Sequence, residues 1–587
     1  MRRMLTVVYL IFLPMAVSAQ KDVQLDPVLE FLGITTPEDA DSHDVQCLLD
    51  LLEKPLRINQ VSQHCISSSS LFTSYQAASL KDYTERHGDV LSFAELSSVD
   101  GFGKDFVSRL APFVSLETSA LPGERAGGAE RISKELMLRS AARTGNQMNY
   151  GGKYRLSFDD SAILTLSLSS SYDSWPQPSA VSGSLALKAG KANIILGDFN
   201  ARFGQGLILW NGMSVGGLSS PITLSRRPTG LSQPWSFTGT SSFTGAAVEI
   251  QTSNVVCTLM LDASETLKSK KDGSPISAAA DISWYRNNAQ LSLTSTACVR
   301  AQDVSGGKAL EEAAVAMSQR WTLSGVTIFS DLALDFVSRT PALICGVSMK
   351  AAEKFTSAAM FRYYHQYYSV SSSSAPRSGT STSNEYGMTI AGEYKSRDKL
   401  LGVFSIDAAC FPEPKSRDEE RSYQVKASSD WNWNVNPEFE MKVRVAERIR
   451  SWGHKSKTEA RLDFLYNRGI FANALRLHAV RCDDVGLLGY VETGITKGEI
   501  NCYIRFGLFC IDDWDDRIYA YERDAPGTFN VPAYYGRGLW TALTGSWRFA
   551  RWGRLYLRVS YIDYPFMMLE KQKPGRAELR FQIQFDL

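Results

Sequence analysis

Beyond Ala19 this 587-residue chain has no apolar run long enough for a helical membrane span, which needs about 20 residues. Histidine is scarce, with six in the whole chain, and there is no CxxC, no HExxH and no phosphate-binding loop. Recognisable metal and nucleotide chemistry is therefore missing. Nine cysteines (47, 65, 257, 298, 345, 410, 482, 502 and 510) show no close pairing. An odd count leaves at least one unpaired, and most sit in apolar, strand-like segments. No disulfide framework, metal centre or cofactor is expected.

What is present begins with a leader. Arg2 and Arg3 precede an apolar run from Leu5 to Val17, and Val17-Ser18-Ala19 supplies small residues at a cleavage position. That is the pattern of a secretory signal peptide over 1–19, with no following cysteine for a lipid anchor. The opposite end alternates without a break. Leu579, Phe581, Ile583, Phe585 and Leu587 share one face, and Arg580, Gln582, Gln584 and Asp586 the other. Period two makes this a strand separating an oily surface from a wet one.

The same alternation recurs upstream. Tyr423, Val425, Ala427, Trp431, Trp433 and Val435 oppose polar neighbours, as do Phe439 to Val445 and Leu555 to Tyr561. Tight turns are expected near Asp159-Asp160, Gly190, Ser253-Asn254, Asn287-Asn288, Ser324-Gly325, Asn436-Pro437, Arg468-Gly469, Lys497-Gly498 and Trp552-Gly553. Longer polar connections alternate with them: 265–277, 300–311, 369–383, 411–422 and 512–538. This short-and-long rhythm belongs to an antiparallel transmembrane β-barrel over 131–587, of about 24 strands (22 to 26). Trp431, Trp433, Trp547, Trp552 and the run Tyr363 to Tyr368 suit its aromatic girdles.

A small helical domain over 20–120 precedes the barrel, followed by a Gly/Pro/Ala-rich linker at 121–130. Val45, Leu48, Leu49 and Leu52 fall at helical spacing. Gly101-Phe102-Gly103-Lys104, between two short apolar patterns, resembles a helix-hairpin-helix motif. Its glycines permit the turn and leave N–H groups able to meet a phosphate or a partner. The segment from Leu56 to Gly88 resembles the first half of a paired module, with serines at 67–70 in place of its glycine hairpin. Competence-type DNA receptors carry that pairing. Yet residues 21–125 hold 8 basic and 17 acidic side chains, a balance of −9, against +8 for residues 126–587. DNA binding relies on a positive surface, so a packing or protein-docking module in the periplasm is favoured over a DNA receptor.

Two stretches stand out in the barrel region. One is Gly197-Asp198-Phe199-Asn200-Ala201-Arg202-Phe203-Gly204-Gln205-Gly206, leading to Trp210. The other runs from Asp512 through Arg517, Tyr521 and Glu522 to Asp524. With them, the whole chain resembles a family of Gram-negative outer-membrane proteins, familiar from Bacteroidota, that join a helix-hairpin-helix region to a large barrel. That resemblance implies little about activity. Both stretches are expected to fold into the lumen or cap its mouth. Asp512, Asp513, Asp515 and Asp516 match no EF-hand spacing and read as solvated charges paired to Arg517 and Arg523.

Gly212-Met213-Ser214-Val215-Gly216 matches G-x-S-x-G, but no helical pattern follows it, so an enzyme is not expected. The expected function is solute transport or envelope assembly, with a secretion-linked scaffold as a rival. Lys442, Arg444, Arg554, Arg558 and Arg580 are candidate lumen-facing cations that would favour anions. Expected partners are outer-membrane lipid and lipopolysaccharide, the barrel assembly machinery and a periplasmic protein.

Overall fold

The computed structural model describes residues 25–587 except 41, 62–65, 67–68, 70, 126–131, 159–160, 173, 213–219, 236, 238–241, 253, 270–273, 287, 302–307, 397–398, 417–419, 454–455 and 567–573. The expected signal peptide, most of the serine-rich half-hairpin, the Asp159-Asp160 turn and the interior of the G-x-S-x-G match lie outside the described residues.

Twenty-four antiparallel strands form a closed barrel. The oily-and-wet segment at the carboxyl end seals it. Arg576–Asp586 pairs with Ile132–Arg143, setting Leu579 opposite Ala142 and Phe585 opposite Leu136. Lys134 and Leu587 exchange backbone hydrogen bonds of 2.9 and 2.8 Å at the seam. Closure leaves no free strand edge, so the wall's backbone groups pair strand to strand.

Sidedness follows from the alternation and is inverted relative to a soluble protein. On the strand Ile500–Ile511, Ile504 and Phe506 are about half exposed while Arg505 between them is 5% exposed. Oily side chains on the outer face and charges on the inner one suit a wall bathed in lipid. No helix among the described residues is long and apolar enough to cross a membrane. The strands do that work, at lengths of 8 to 16 residues.

Ser324 and Gly325 both take positive φ (46° and 84°), the primed turn that matches strand twist. Of the expected connection 300–311, residues 300–301 and 308–311 belong to the strands Ala289–Ala301 and Lys308–Leu323, and 302–307 lie outside the described residues. Trp431, Trp433, Trp547 and Trp552 are exposed, as girdle residues should be. Tyr364 and Tyr368 are not. Both are buried, and their hydroxyls donate to the carbonyls of Pro376 (2.6 Å) and Leu207 (2.8 Å), so they anchor polypeptide that enters the lumen.

The helical region contains Asp26–Leu32, Ser42–Glu53, Ser74–His87, Phe93–Leu96 and Gly103–Leu110. Thr73 caps the Ser74 helix in a reciprocal capping box with Gln76. A short parallel pairing of Leu56–Arg57 with Val114–Ser115 ties the middle of the unit to its carboxyl-terminal end. Its own apolar core includes Val28, Val45, Leu71, Phe72, Leu96 and Phe113.

Candidate functional site

The helical region is seated against inward-facing side chains of the barrel, where the sequence suggests a docking module beyond a linker. Its acidic balance explains the seating. Asp26 meets Lys442 at 2.7 Å, Asp39 meets Arg444 at 3.1 Å, Asp44 meets Arg202 at 2.9 Å, and Glu53 pairs with Arg554. Glu38 reaches furthest, accepting from Arg476 Nη1 at 2.7 Å and Arg461 Nη1 at 3.1 Å. Burial alone would raise the Glu38 carboxyl. The two guanidiniums and the Tyr521 N–H outweigh it and hold the group well below the usual carboxylate range. Asp50, which accepts from Trp235 Nε1 at 3.0 Å, is pushed the other way, to about 7, by burial and by nearby Glu135, against the pull of Lys153 and Arg155.

The outer contacts lie at one end of the barrel, with the Glu38 pairs deeper, at mid-strand. Lys442 and Arg554 lie within a few residues of tight turns, as do Lys350 and Lys395, which pair with Asp105 and Glu30. Tyr75 of the helical region stacks on Tyr285 of the wall, 5.0 Å between centroids, beside another tight turn. The unit therefore enters from the tight-turn end.

Long connections fill the opposite end. The strand Ala192–Arg202 leaves the wall near Gly197, whose φ of 94° is paired with a close approach: a Cβ there would lie 2.2 Å from the Gly183 carbonyl oxygen. Asp198 pins the departure, accepting from Gly183 N–H at 3.2 Å and from the Thr244 hydroxyl. Gly204 then passes so near Ser318 and Asp331 that no Cβ fits. Gln205 N–H donates to Asp331 Oδ2 at 2.8 Å, and Gln205 Oε1 accepts from Arg226 N–H at 3.0 Å. Gly206 N–H donates to Phe203 O, closing the loop on itself. Phe203, Leu207, Ile208 and Leu209 pack against Ala314, Phe329 and Ala333 of the inner wall.

The second stretch also turns inward. Glu522 holds Arg558 and accepts from Tyr534 Oη and Asn530 Nδ2, and Asp524 holds Arg580. Tyr521 N–H donates to Glu38, so the loop touches the helical unit directly. Arg517 stays at the exposed rim, donating to the Trp514 carbonyl at 2.9 Å. Of the expected solvated aspartates, Asp512 pairs with Arg537 at 2.6 Å, but Asp516 is fully buried and accepts from Cys482 and Asp484 N–H groups. Among the described residues no group of three His, Cys, Asp or Glu is placed to hold a metal ion.

The five predicted lumen cations all face inward, yet none stands as a free positive charge. Lys442, Arg444 and Arg554 are matched by the helical unit, and Arg558 and Arg580 by the inserted loop. The +8 of the barrel region thus meets the −9 of the domain in part through these pairs. Sequence reasoning missed Arg461, Arg476 and the fully buried Arg362, which binds Glu385 (2.9 Å) and Asp407 (2.8 Å). Their placement opposite apolar neighbours on strands was the available signal.

Gly101 and Gly103 take φ of 82° and 65°, the left-handed region that favours glycine. Gly101 O accepts from Gln76 Nε2 at 2.8 Å, and Phe102 is buried against Phe72 and Phe106. Gly103 and Lys104 are exposed, and the adjacent Asp105 faces Lys350 of the wall.

No family model and no curated protein matches this sequence. Solved structures similar to it are large membrane barrels. The copper transporter OprC is 9% identical over 79% of this chain and 82% of its own, with a TM-score of 0.40. The siderophore receptor PirA from Acinetobacter baumannii is 6% identical over the same shares, also at 0.40. The PapC translocation pore of the P pilus usher is 11% identical over 78% and 99%, at 0.35. At these values the likeness is one of overall form, and nothing about cargo transfers from it.

Proposed function

We propose that this protein is an outer-membrane barrel for the gated passage of a solute, with its own acidic helical domain as the gate. One observation carries the reading: the domain keeps a separate apolar core and grips the wall chiefly through ion pairs. Phe529 of the inserted loop is the barrel-side residue among the apolar side chains packed on that core. Ion pairs can be exchanged for water and counterions at modest net cost, whereas a shared apolar core would resist separation. Tight turns of such barrels face the periplasm, so the gate lies within reach of a periplasmic protein that could displace it. Lipid surrounds the wall, lipopolysaccharide meets the rim of long connections, and assembly falls to the barrel assembly machinery. No enzymatic step is assigned.

Planar-bilayer conductance of the full chain tests this. Wild type should conduct little, and the triple variant E38Q/D39N/E53Q should show larger, more frequent openings. If limited proteolysis shows the domain loosened in that variant while conductance stays unchanged, the gate reading fails and a scaffold role takes its place.

A further inference from the structure

Between the helical unit, the second inserted loop and the wall lies a cavity of about 360 Å³. That is within the size range of small-molecule sites, about 300–1,000 Å³. Its charge is not balanced like the rest of the lumen. Arg139, Arg523, Arg558 and Arg580 line it against two carboxylates, Glu53 and Asp524. Arg523 and Arg580 are held by Glu492 (2.8 Å) and Glu578 (2.6 Å). Arg558 is 5% exposed and gives one nitrogen to Glu522, but its Nε and Nη1 have no acceptor. Arg139 has no carboxylate partner among the described residues; Phe237 covers its guanidinium at 3.7 Å, and its Nε also lacks an acceptor.

Buried donors without acceptors are costly and are rarely left so unless something fills them. The surrounding surface is aromatic as well as charged: Tyr172, Tyr503, Tyr521 and Tyr556 all line the space. We infer that this cavity is a binding site for a small solute carrying a carboxylate or phosphate on a flat body. Arg139 and Arg558 take the oxyanion, and the tyrosine rings pack on the body. The inference rests on the transport reading and supplies its solute class. The site spans gate, loop and wall together, so occupancy is linked to the docked position of the gate.

Calorimetric titration of the detergent-solubilised full chain tests it with benzoate and phenyl phosphate as probes, inorganic phosphate to separate oxyanion from ring, and benzylamine as the cationic control. Benzoate or phenyl phosphate should bind, phosphate more weakly, and benzylamine not at all. Arg139→Gln strands no carboxylate and should weaken binding about tenfold or more. Arg558→Lys keeps the Glu522 pair and should also weaken it. Absence of binding by both aromatic anions, or binding indifferent to Arg139→Gln, overturns the site. Neither result alters the conductance of the gate variant, so the two readings fail separately.

Discussion

Arg476 Nη1 donates to Glu38 Oε1 at 2.7 Å, joining the middle of a barrel strand to a turn of the helical domain 438 residues earlier. The same glutamate also takes Arg461 and the Tyr521 N–H, so wall, loop and domain meet on one carboxylate. Breaking one side of a buried pair costs about 3–5 kcal/mol when the other charge is left alone. Here Asp463 still faces both guanidiniums, at 2.6 Å from Arg476 and 3.2 Å from Arg461. Glu38→Gln should therefore weaken docking by about 3 kcal/mol, the low end of that range. Limited proteolysis of the domain should quicken while the barrel's own unfolding midpoint holds. Equal shifts in both would count against a separable domain.

The outer pairs should behave differently. Lys395 and Glu30 are each half exposed, and Lys350 and Asp105 more so on the acidic side. Exposed pairs contribute about 0–1 kcal/mol and are screened by salt. Lys395→Ala and Lys350→Ala should each leave domain proteolysis rates within a few-fold of wild type. A loss as large as that of Glu38→Gln would show that the rim, not the interior, sets the grip.

Docking should also depend on pH, with opposite contributions from two acids. Glu38 is depressed, so its stabilisation is present above the ordinary glutamate value of 4.5 and is lost as pH falls below it. Asp50 is raised from 3.8 to about 7, so its contribution is fully present below 3.8 and is lost as pH rises through 7. Between pH 5 and pH 8 the contribution of Glu38 is constant and that of Asp50 erodes. The groups facing Asp50 are Glu135, Glu53, Lys153 and Arg155. Asp50→Asn keeps an oxygen for Trp235 Nε1 and removes the titration. It should flatten the fall in domain stability from pH 5 to pH 8, measured by thermal midpoints of proteolytic protection. A variant that falls as steeply as wild type would exclude Asp50 as the source.

The wall was legible because its signal is local. Period two along Leu579–Phe585 fixes which face is wet, and Ser324-Gly325 or Lys497-Gly498 fixes where the chain reverses. The seating of the domain was only half legible. Opposite charge in the two regions was countable from sequence, but pairing Asp26 with Lys442 spans 416 residues and has no local signature. The same holds for Tyr364 and Tyr368, whose aromatic run suits a girdle until a loop in the lumen gives their hydroxyls a carbonyl each.

Glycine on the inner wall offers the last test, because it reports on how the second loop is held. Gly507 lies opposite Trp540, and a Cβ there would fall 2.2 Å from the indole ring. Trp540 is nearly fully buried and packs on Tyr534, 4.4 Å between centroids, whose hydroxyl donates to Glu522. Glu522 in turn holds Arg558. Gly507→Ala must push the indole into Tyr534, at a cost of about 1–3 kcal/mol for overpacking. The disturbance should travel to the loop, seen as faster cleavage within 512–535 and a lower unfolding midpoint in detergent. Adding Trp540→Leu should recover part of the midpoint by restoring room, since the leucine is smaller than the indole it replaces. If Gly507→Ala leaves both readouts unchanged, the indole is not the wedge between wall and loop, and the loop's position depends on its ion pairs alone.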